Sequence, residues 1–263
     1  MSTRAEQYAA EVISREVLSP HLVRVVLAVH EGFTSTGIPD EWVGLVVPGQ
    51  FQSRYYTVRS AVPQDGAVRL TLDIVVHETG LVTEWAGRDE IVGETVTVTD
   101  PKGSFEQPPG AQWLMLVGDL TALPAMARIG EEAGARGLPT RIWAEVPDVD
   151  ELVDYLPDSA AVTWLAGHGD QLAATVEGLP WPEGEGYFWM AGESSQMRAI
   201  RKHLMRERQL PSHAYDVMGY WRAGVGRQPR AVDPGPVYRA GKAAGLSDEQ
   251  IWANYDARRE ADQ

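Results

Sequence analysis

From Tyr8 to Val29, apolar and polar residues alternate in two runs, "YAAEVISREVLSP" and "HLVRVVLAV", broken at Ser19-Pro20. A period of two marks β-strands, whose successive side chains point to opposite faces. Further strand-like runs occupy residues 51–59, 68–76 ("VRLTLDIVV") and 95–99 ("TVTVT"), punctuated by Gly, Pro and Asp. Short strands at this spacing predict an antiparallel barrel.

After "EQPPGAQ" (106–112), which reads as a linker, the rhythm changes. Strand "WLMLV" (113–117) leads to a helix from about Thr121, then come strand "TRIWAEV", a short helix near 151–155 and strand "AVTWLAG". Helix 170–177, strand "GYFWMAG" (186–192), helix 194–208 and strand "YDVMGYW" complete the series. Strands alternating with helices predict a parallel sheet covered on both faces. In helix 194–208, Met197, Ile200 and Leu204 share one side, and Ser194 or Ser195 is expected to cap it. The pattern divides the chain into a β-domain (1–109), an α/β-domain (110–224) and a tail (225–263) with a helix from about Ser247.

Composition narrows the chemistry. The absence of cysteine removes disulfides, thiolate metal sites, iron–sulfur clusters and cysteine nucleophiles. The six histidines are widely spaced in sequence, which predicts no built-in metal site. No apolar leader or membrane-length run is visible, so the expectation is a cytoplasmic protein. A formal net charge of −14 argues against nucleic acid or an anionic membrane as partner. Against that background, residues 219–246 carry five basic side chains and one acid. Such a patch suits a small anionic ligand, and equally a solvated tail surface.

Candidate chemistry begins at "FQSRYYTVRS" (51–60), where alternation sends Arg54, Tyr56 and Val58 to one face and Tyr55, Thr57 and Arg59 to the other. Next, Gly80 to Thr83 of "DIVVHETGLVTEWA" (73–86) open a short helix, and free N–H groups at such a turn either meet phosphate or are capped locally by Thr79 or Thr83. In "LVGDLTALPAMARI" (116–129) a strand enters a helix where dinucleotide-binding sheets hold a pyrophosphate, although no G-x-G-x-x-G is present. Gly118 allows close backbone approach there, Thr121 can cap and Pro124 suits the first turn. Glu145, ending strand 140–146, reads either as a ribose ligand or, the favoured alternative, as a solvated acid.

Together "RYYT", "DIVVH", "GLVTEWA", "DPKGSF" (100–105), "LVGDLTALPAMARI", "WMAGE" (189–193) and "GYWRAG" (219–224) closely resemble the siderophore-interacting protein family of FAD-dependent ferric-siderophore reductases, within the ferredoxin-reductase superfamily. The resemblance runs in order over residues 8–224. It implies a six-stranded FAD barrel followed by a Rossmann-like NAD(P)H domain. In the FAD site it implies Arg54 on the pyrophosphate, Tyr56 on the isoalloxazine and Thr57 near N5, with Asp73, His77, Gly80, Thr83 and Trp85 also lining the site. For NAD(P)H it implies Gly118, Asp119, Thr121, Pro124, Gly192 and Glu193, with Trp221 covering the flavin or the nicotinamide. No residue is needed as nucleophile or general acid–base.

Two departures stand out. Asp119-Leu120-Thr121 replaces the family's Asp-Glu-Thr, and "GHGD" (167–170) lacks an arginine expected near the 2′-phosphate of NADPH. The choice between NADH and NADPH therefore stays open. Arg222, with Arg239 and Lys242, is expected to line the ferric-siderophore site, in a monomer. The rival readings are a general flavin-dependent NAD(P)H reductase serving a protein redox partner, and a non-catalytic siderophore or flavin carrier.

Overall fold

The computed structural model describes residues 6–30, 32–50, 53–64, 66–77 and 80–223. Arg239, Lys242 and the expected C-terminal helix lie outside these residues, as does Thr79.

Six antiparallel strands close into a barrel in the order β1-β2-β5-β4-β3-β6: β1 (Gln7–Ser19), β2 (Leu22–His30), β3 (Trp42–Val46), β4 (Arg54–Gln64), β5 (Ala67–Val75) and β6 (Thr95–Thr99). Closure leaves no strand edge exposed. Register shifts within β1, between Val12 and Ser14 and between Val17 and Ser19, let that long strand curl from β6 to β2. Strand β3 escapes the sequence pattern because "WVGLV" is short and apolar apart from Gly44, leaving no alternation to read. Inside the barrel, Val12, Val25, Leu27, Leu45, Leu70, Leu72, Ile74 and Val98 are buried in one cluster. A short helix, α1 (Leu81–Ala86), follows β5 and adds Val82 and Trp85 to that cluster.

The second half is a parallel sheet ordered β11-β10-β7-β8-β9, built from β7 (Leu114–Asp119), β8 (Thr140–Val146), β9 (Ala161–Ala166), β10 (Tyr187–Glu193) and β11 (Tyr215–Trp221). Every residue of β7 and β10 is buried, as expected for strands covered on both faces. The chain runs from β7 outward to β9, then crosses back to β10 and β11. The topological switch point therefore falls between β7 and β10, and ligands of open α/β sheets collect outside the carboxyl ends of such strands. Helix α2 (Leu123–Ala135) follows β7, with Pro124 in its first turn. Helices α3 (Val149–Leu152), α4 (Leu172–Glu177) and α5 (Met197–Lys202) follow β8, β9 and β10. Beyond α5 the chain continues through a π-turn at 203–207. Met197, Ile200 and Leu204 are buried together as the pattern predicts. The serines do not cap α5: Ser194 donates to the Trp221 carbonyl and Ser195 to Glu193, and the helix starts after Gln196.

Charged side chains join the two halves. Asp73 on β5 is buried and takes two hydrogen bonds from Arg24 on β2 at 2.7 and 2.8 Å, while the Tyr155 hydroxyl donates to it from the other half. The guanidinium groups of Arg24 and Arg59 lie 5.9 and 5.7 Å from the centre of the Tyr155 ring. On α2, Arg128 donates to the Val58 carbonyl at 2.6 Å and pairs with the buried Glu41, and Glu131 pairs with Arg59. Asp148 accepts from Ser19 at 2.9 Å and lies 2.7 Å from His21 Nδ1. Removing one partner of a buried charge network leaves the rest uncompensated. Asp73→Ala is therefore expected to cost about 3–5 kcal/mol of unfolding free energy, measured by urea titration. A loss below about 1 kcal/mol would mean that Asp73 does not hold this junction.

Candidate functional site

Strand β4 presents the Arg-Tyr-Tyr-Thr segment at its start. Arg54 is exposed and near enough to Tyr56 to influence its hydroxyl electrostatically. Tyr56 is half-buried and packs against the barrel cluster, and burial, eased by the Arg54 charge, raises its pKa to about 12. The large exposed aromatic here is its neighbour Tyr55, 67% exposed, which the sequence pattern does not single out. Thr57 is buried, next to Val58, whose carbonyl accepts from Arg128 of the parallel-sheet half.

The segment after β5 is more divided. His77 is exposed, and a Cβ placed on Gly80 would lie 3.4 Å from its ring. Gly80, at φ 148°, starts α1 without a side-chain cap. Thr83 is buried, its hydroxyl 3.4 Å from the Val75 carbonyl, and Trp85 is buried with its indole N–H on Glu94 at 2.8 Å. These two side chains and Asp73 therefore hold the barrel and its junction. His77 and the backbone at Gly80 stay at the surface.

At the carboxyl edge of the parallel sheet, three adjacent strands end in buried acids: Glu193 on β10, Asp119 on β7 and Glu145 on β8. Asp119 accepts from the Thr121 amide at 2.9 Å, the Thr121 hydroxyl at 2.5 Å and the Trp221 indole N–H at 2.6 Å. Burial pushes its carboxyl up, against those hydrogen bonds. Glu193 accepts from Ser195 and from the Ala223 amide at 3.0 Å. Burial works against its charge too, but these donors prevail and hold it below the usual carboxylate range. Gly192, at φ 154°, passes so close to Asp119 that a Cβ would lie 2.6 Å from the carboxylate. Gly118 needs its missing side chain for packing, since a Cβ would meet Ala122 at 2.5 Å.

Glu145 corrects the solvated-acid expectation, because it is fully buried. Its carboxylate accepts the backbone N–H groups of Gly169, Asp170 and Gln171 at 2.8–3.1 Å, fixing the loop after β9. Sequence spacing gives no hint of this, since the partners lie 24–26 residues away. Folding also brings together two histidines distant in sequence, His21 and His168, with ring centroids 6.3 Å apart. Among the described residues no cluster of His, Asp and Glu is arranged to hold a metal ion. Trp221 is 36% exposed beside the Asp119 carboxylate, and Arg222 follows it at the surface.

Two family profiles match this chain: the siderophore-interacting FAD-binding domain over residues 49–105, and the siderophore-interacting protein profile over residues 111–224. The chain belongs to the siderophore-interacting protein family. Among its relatives is the ferric vibriobactin reductase ViuB of Vibrio cholerae, 30% identical over 65% of each chain. Another is the NADPH-dependent ferric-chelate reductase of Escherichia coli, 24% identical over 81% of this chain and 91% of that one. The crystal structure of a siderophore utilization protein from T. fusca superposes with a TM-score of 0.69 at 27% identity, covering 86% and 97% of the two chains.

In this siderophore-interacting protein the FAD-binding profile takes in the exposed end of β4 and the surface residues His77 and Gly80, and the second profile takes in the row of acids and Trp221. No helix among the described residues is long and apolar enough to cross a membrane. The acids have a measurable signature. Because the folded-state pKa of Asp119 is raised, the folded protein holds its proton to higher pH than the unfolded chain does. Its contribution to stability therefore falls as pH rises above the usual carboxylate range. Asp119→Asn is expected to remove that decline, so urea denaturation at pH 5 and pH 7 should show a smaller stability difference in the variant than in the parent protein.

Proposed function

We propose that this protein is a cytoplasmic ferric-siderophore reductase that draws electrons from NADH or NADPH through FAD. The observation that carries the proposal is the meeting of β4 with the helix that leaves the switch-point strand: Arg128 of α2, which follows β7, donates to the Val58 carbonyl beside Thr57 of the FAD-binding segment. A flavin on β4 and a nucleotide at the β7–β10 switch point then come together at one junction. FAD supplies the conversion between a two-electron donor and a one-electron acceptor.

The residues present fit that group. The exposed Arg54 offers a guanidinium fork for a pyrophosphate, Tyr55 and Tyr56 offer aromatic faces, and Thr57 offers a hydroxyl at the junction. Thr121, Gly192 and Trp221 surround the switch point where the donor nucleotide would lie. Arg222 at the protein surface offers a cation to an anionic ferric chelate. Iron(III) is the substrate, and its reduction weakens binding by hard oxygen ligands, so the metal is released. Anaerobic turnover with NADH, FAD and a ferric catecholate, with Fe(II) captured by a coloured chelator, tests the proposal. Fe(II) formation that does not depend on the protein would refute it.

Two expectations follow from the site. Arg54→Ala removes a charge-assisted contact to phosphate of roughly 1.5–3 kcal/mol, so FAD is expected to bind about ten- to a hundredfold more weakly while the fold persists. Fluorescence titration of the apo-protein measures this, and unchanged affinity would remove Arg54 from the site.

The second concerns the donor. The loop at 167–171 has no arginine or lysine, its amides are held by Glu145, and Arg201 is engaged by the Val217 carbonyl. Any preference of kcat/KM for NADPH over NADH is therefore expected to stay below about tenfold. A hundredfold preference would place the 2′-phosphate on a cation elsewhere.

A further inference from the structure

Along β4 the pairing partner changes. Arg54, Tyr55, Tyr56 and Thr57 pair with Leu45, Gly44, Val43 and Trp42 of β3, whereas Val58 and Ser60–Gln64 pair with β5. The register slips at the handover. Val58 stands opposite Leu72 and Ser60 opposite Thr71, so Arg59 is the extra residue of a bulge. A bulge bends its strand and disrupts the ladder locally, so the groups there need partners from elsewhere. Helix α2 supplies them. Arg128 donates to the Val58 carbonyl at 2.6 Å, and Glu131 takes two hydrogen bonds from the Arg59 guanidinium. Residues three apart share a helix face, so one face of α2 clasps both bulge residues. The same Arg128 nitrogen donates to the buried Glu41 carboxylate at 3.2 Å, and the Glu41 carbonyl accepts the Val58 N–H at 2.8 Å. Both backbone groups of Val58 are thus held through one pair, Glu41 and Arg128, whose cation comes from the other half of the protein.

We propose that Arg128 is a positioning residue for the flavin: by holding the Val58 carbonyl it fixes the bend of β4, and with it the path of the Arg54–Thr57 segment. This rests on the reading that FAD lies on β4. Bulges beside active sites re-aim the side chains next to them, so the angle held at Val58 decides where that segment points. Pairing with β3 sets its register, and the contact from α2 adds the bend. Arg128 lies outside the FAD-binding profile, which ends at residue 105, so the affinity for FAD is built from both halves of the chain. The helix that carries it begins just beyond Asp119 and Thr121, at the switch point where the donor nucleotide would lie. One rigid element therefore reaches from the nucleotide end to the flavin strand.

The test uses Arg128→Met, which keeps the apolar stem and removes the donor, and Arg128→Lys, whose ammonium can serve both acceptors of the single guanidinium nitrogen. FAD affinity comes from fluorescence titration, and the geometry of the bound flavin from its visible circular dichroism at saturating FAD. Arg128→Met is expected to weaken FAD binding about three- to tenfold and to change the spectrum, while Arg128→Lys stays within about twofold of the parent. Tyr155→Phe, which loosens the junction at Asp73 without touching Val58, is expected to keep the parental affinity and spectrum. An unaltered affinity or an unaltered spectrum in Arg128→Met overturns the proposal. So does a lysine variant that behaves like the methionine variant, or an equal loss in Tyr155→Phe, which would make Arg128 one junction contact among several. Should Arg128→Met leave the Glu41 carboxylate uncompensated and fail to fold, Glu41→Gln/Arg128→Met carries the test with the same expected and overturning results. A parent protein that takes up no FAD refutes the flavin reading itself, whereas an FAD-binding parent with an indifferent Arg128→Met refutes only the role of Arg128.

Discussion

The grip of Arg24 and Tyr155 on the buried Asp73 carboxylate fixes one half of this protein against the other. A carboxylate with no solvent exposure is tolerable only with its hydrogen-bonding capacity filled, and here the donors come from both halves. The barrel strand carrying Arg-Tyr-Tyr-Thr is then held in register with the parallel sheet by Arg59–Glu131 and by Arg128, which bonds the Val58 carbonyl one residue beyond Thr57. The proposed electron transfer needs two cofactors at a fixed separation, and a polar, geometrically specific junction provides more positional definition than an apolar one that can slide.

A second use of buried charge shapes the nucleotide end. Asp119, Glu145 and Glu193 each turn loop N–H groups inward, so the loops after β7, β9 and β10 are fixed by the protein's own carboxylates. This replaces the glycine-rich turn of other dinucleotide-binding sheets, in which those amides face a pyrophosphate. The consequence is a rigid mouth whose loop amides are already taken, poorly suited to an additional phosphate.

Sequence periodicity reveals most of the architecture, because alternation and helical spacing report directly on burial. Strand β3 is lost because five residues with apolar character throughout have no period, and the start of α5 is misplaced because Ser194 and Ser195 hydrogen-bond across to Trp221 and Glu193 instead of along their own helix. The candidate site is legible only where chemistry is local. Arg54 and Thr57 share one short string, and Asp119 and Thr121 share another. Asp73 and Trp85 lie in equally recognisable strings, yet their side chains meet Arg24, Tyr155 and Glu94, contacts that local sequence does not encode. Glu145 acts on residues far along the chain, and only folding shows what it touches.

The central claim, that electrons cross the junction between β4 and the sheet edge to a ferric chelate, is tested most directly by sequential-mixing stopped-flow spectrophotometry under anaerobic conditions. FAD-loaded protein is first mixed with NADH or NADPH and then with a ferric siderophore, while flavin absorbance is followed. The account predicts bleaching in the first mix and recovery in the second, with recovery absent when iron-free siderophore is used. Flavin that stays oxidised with both nucleotides, or recovers equally without iron, would contradict it.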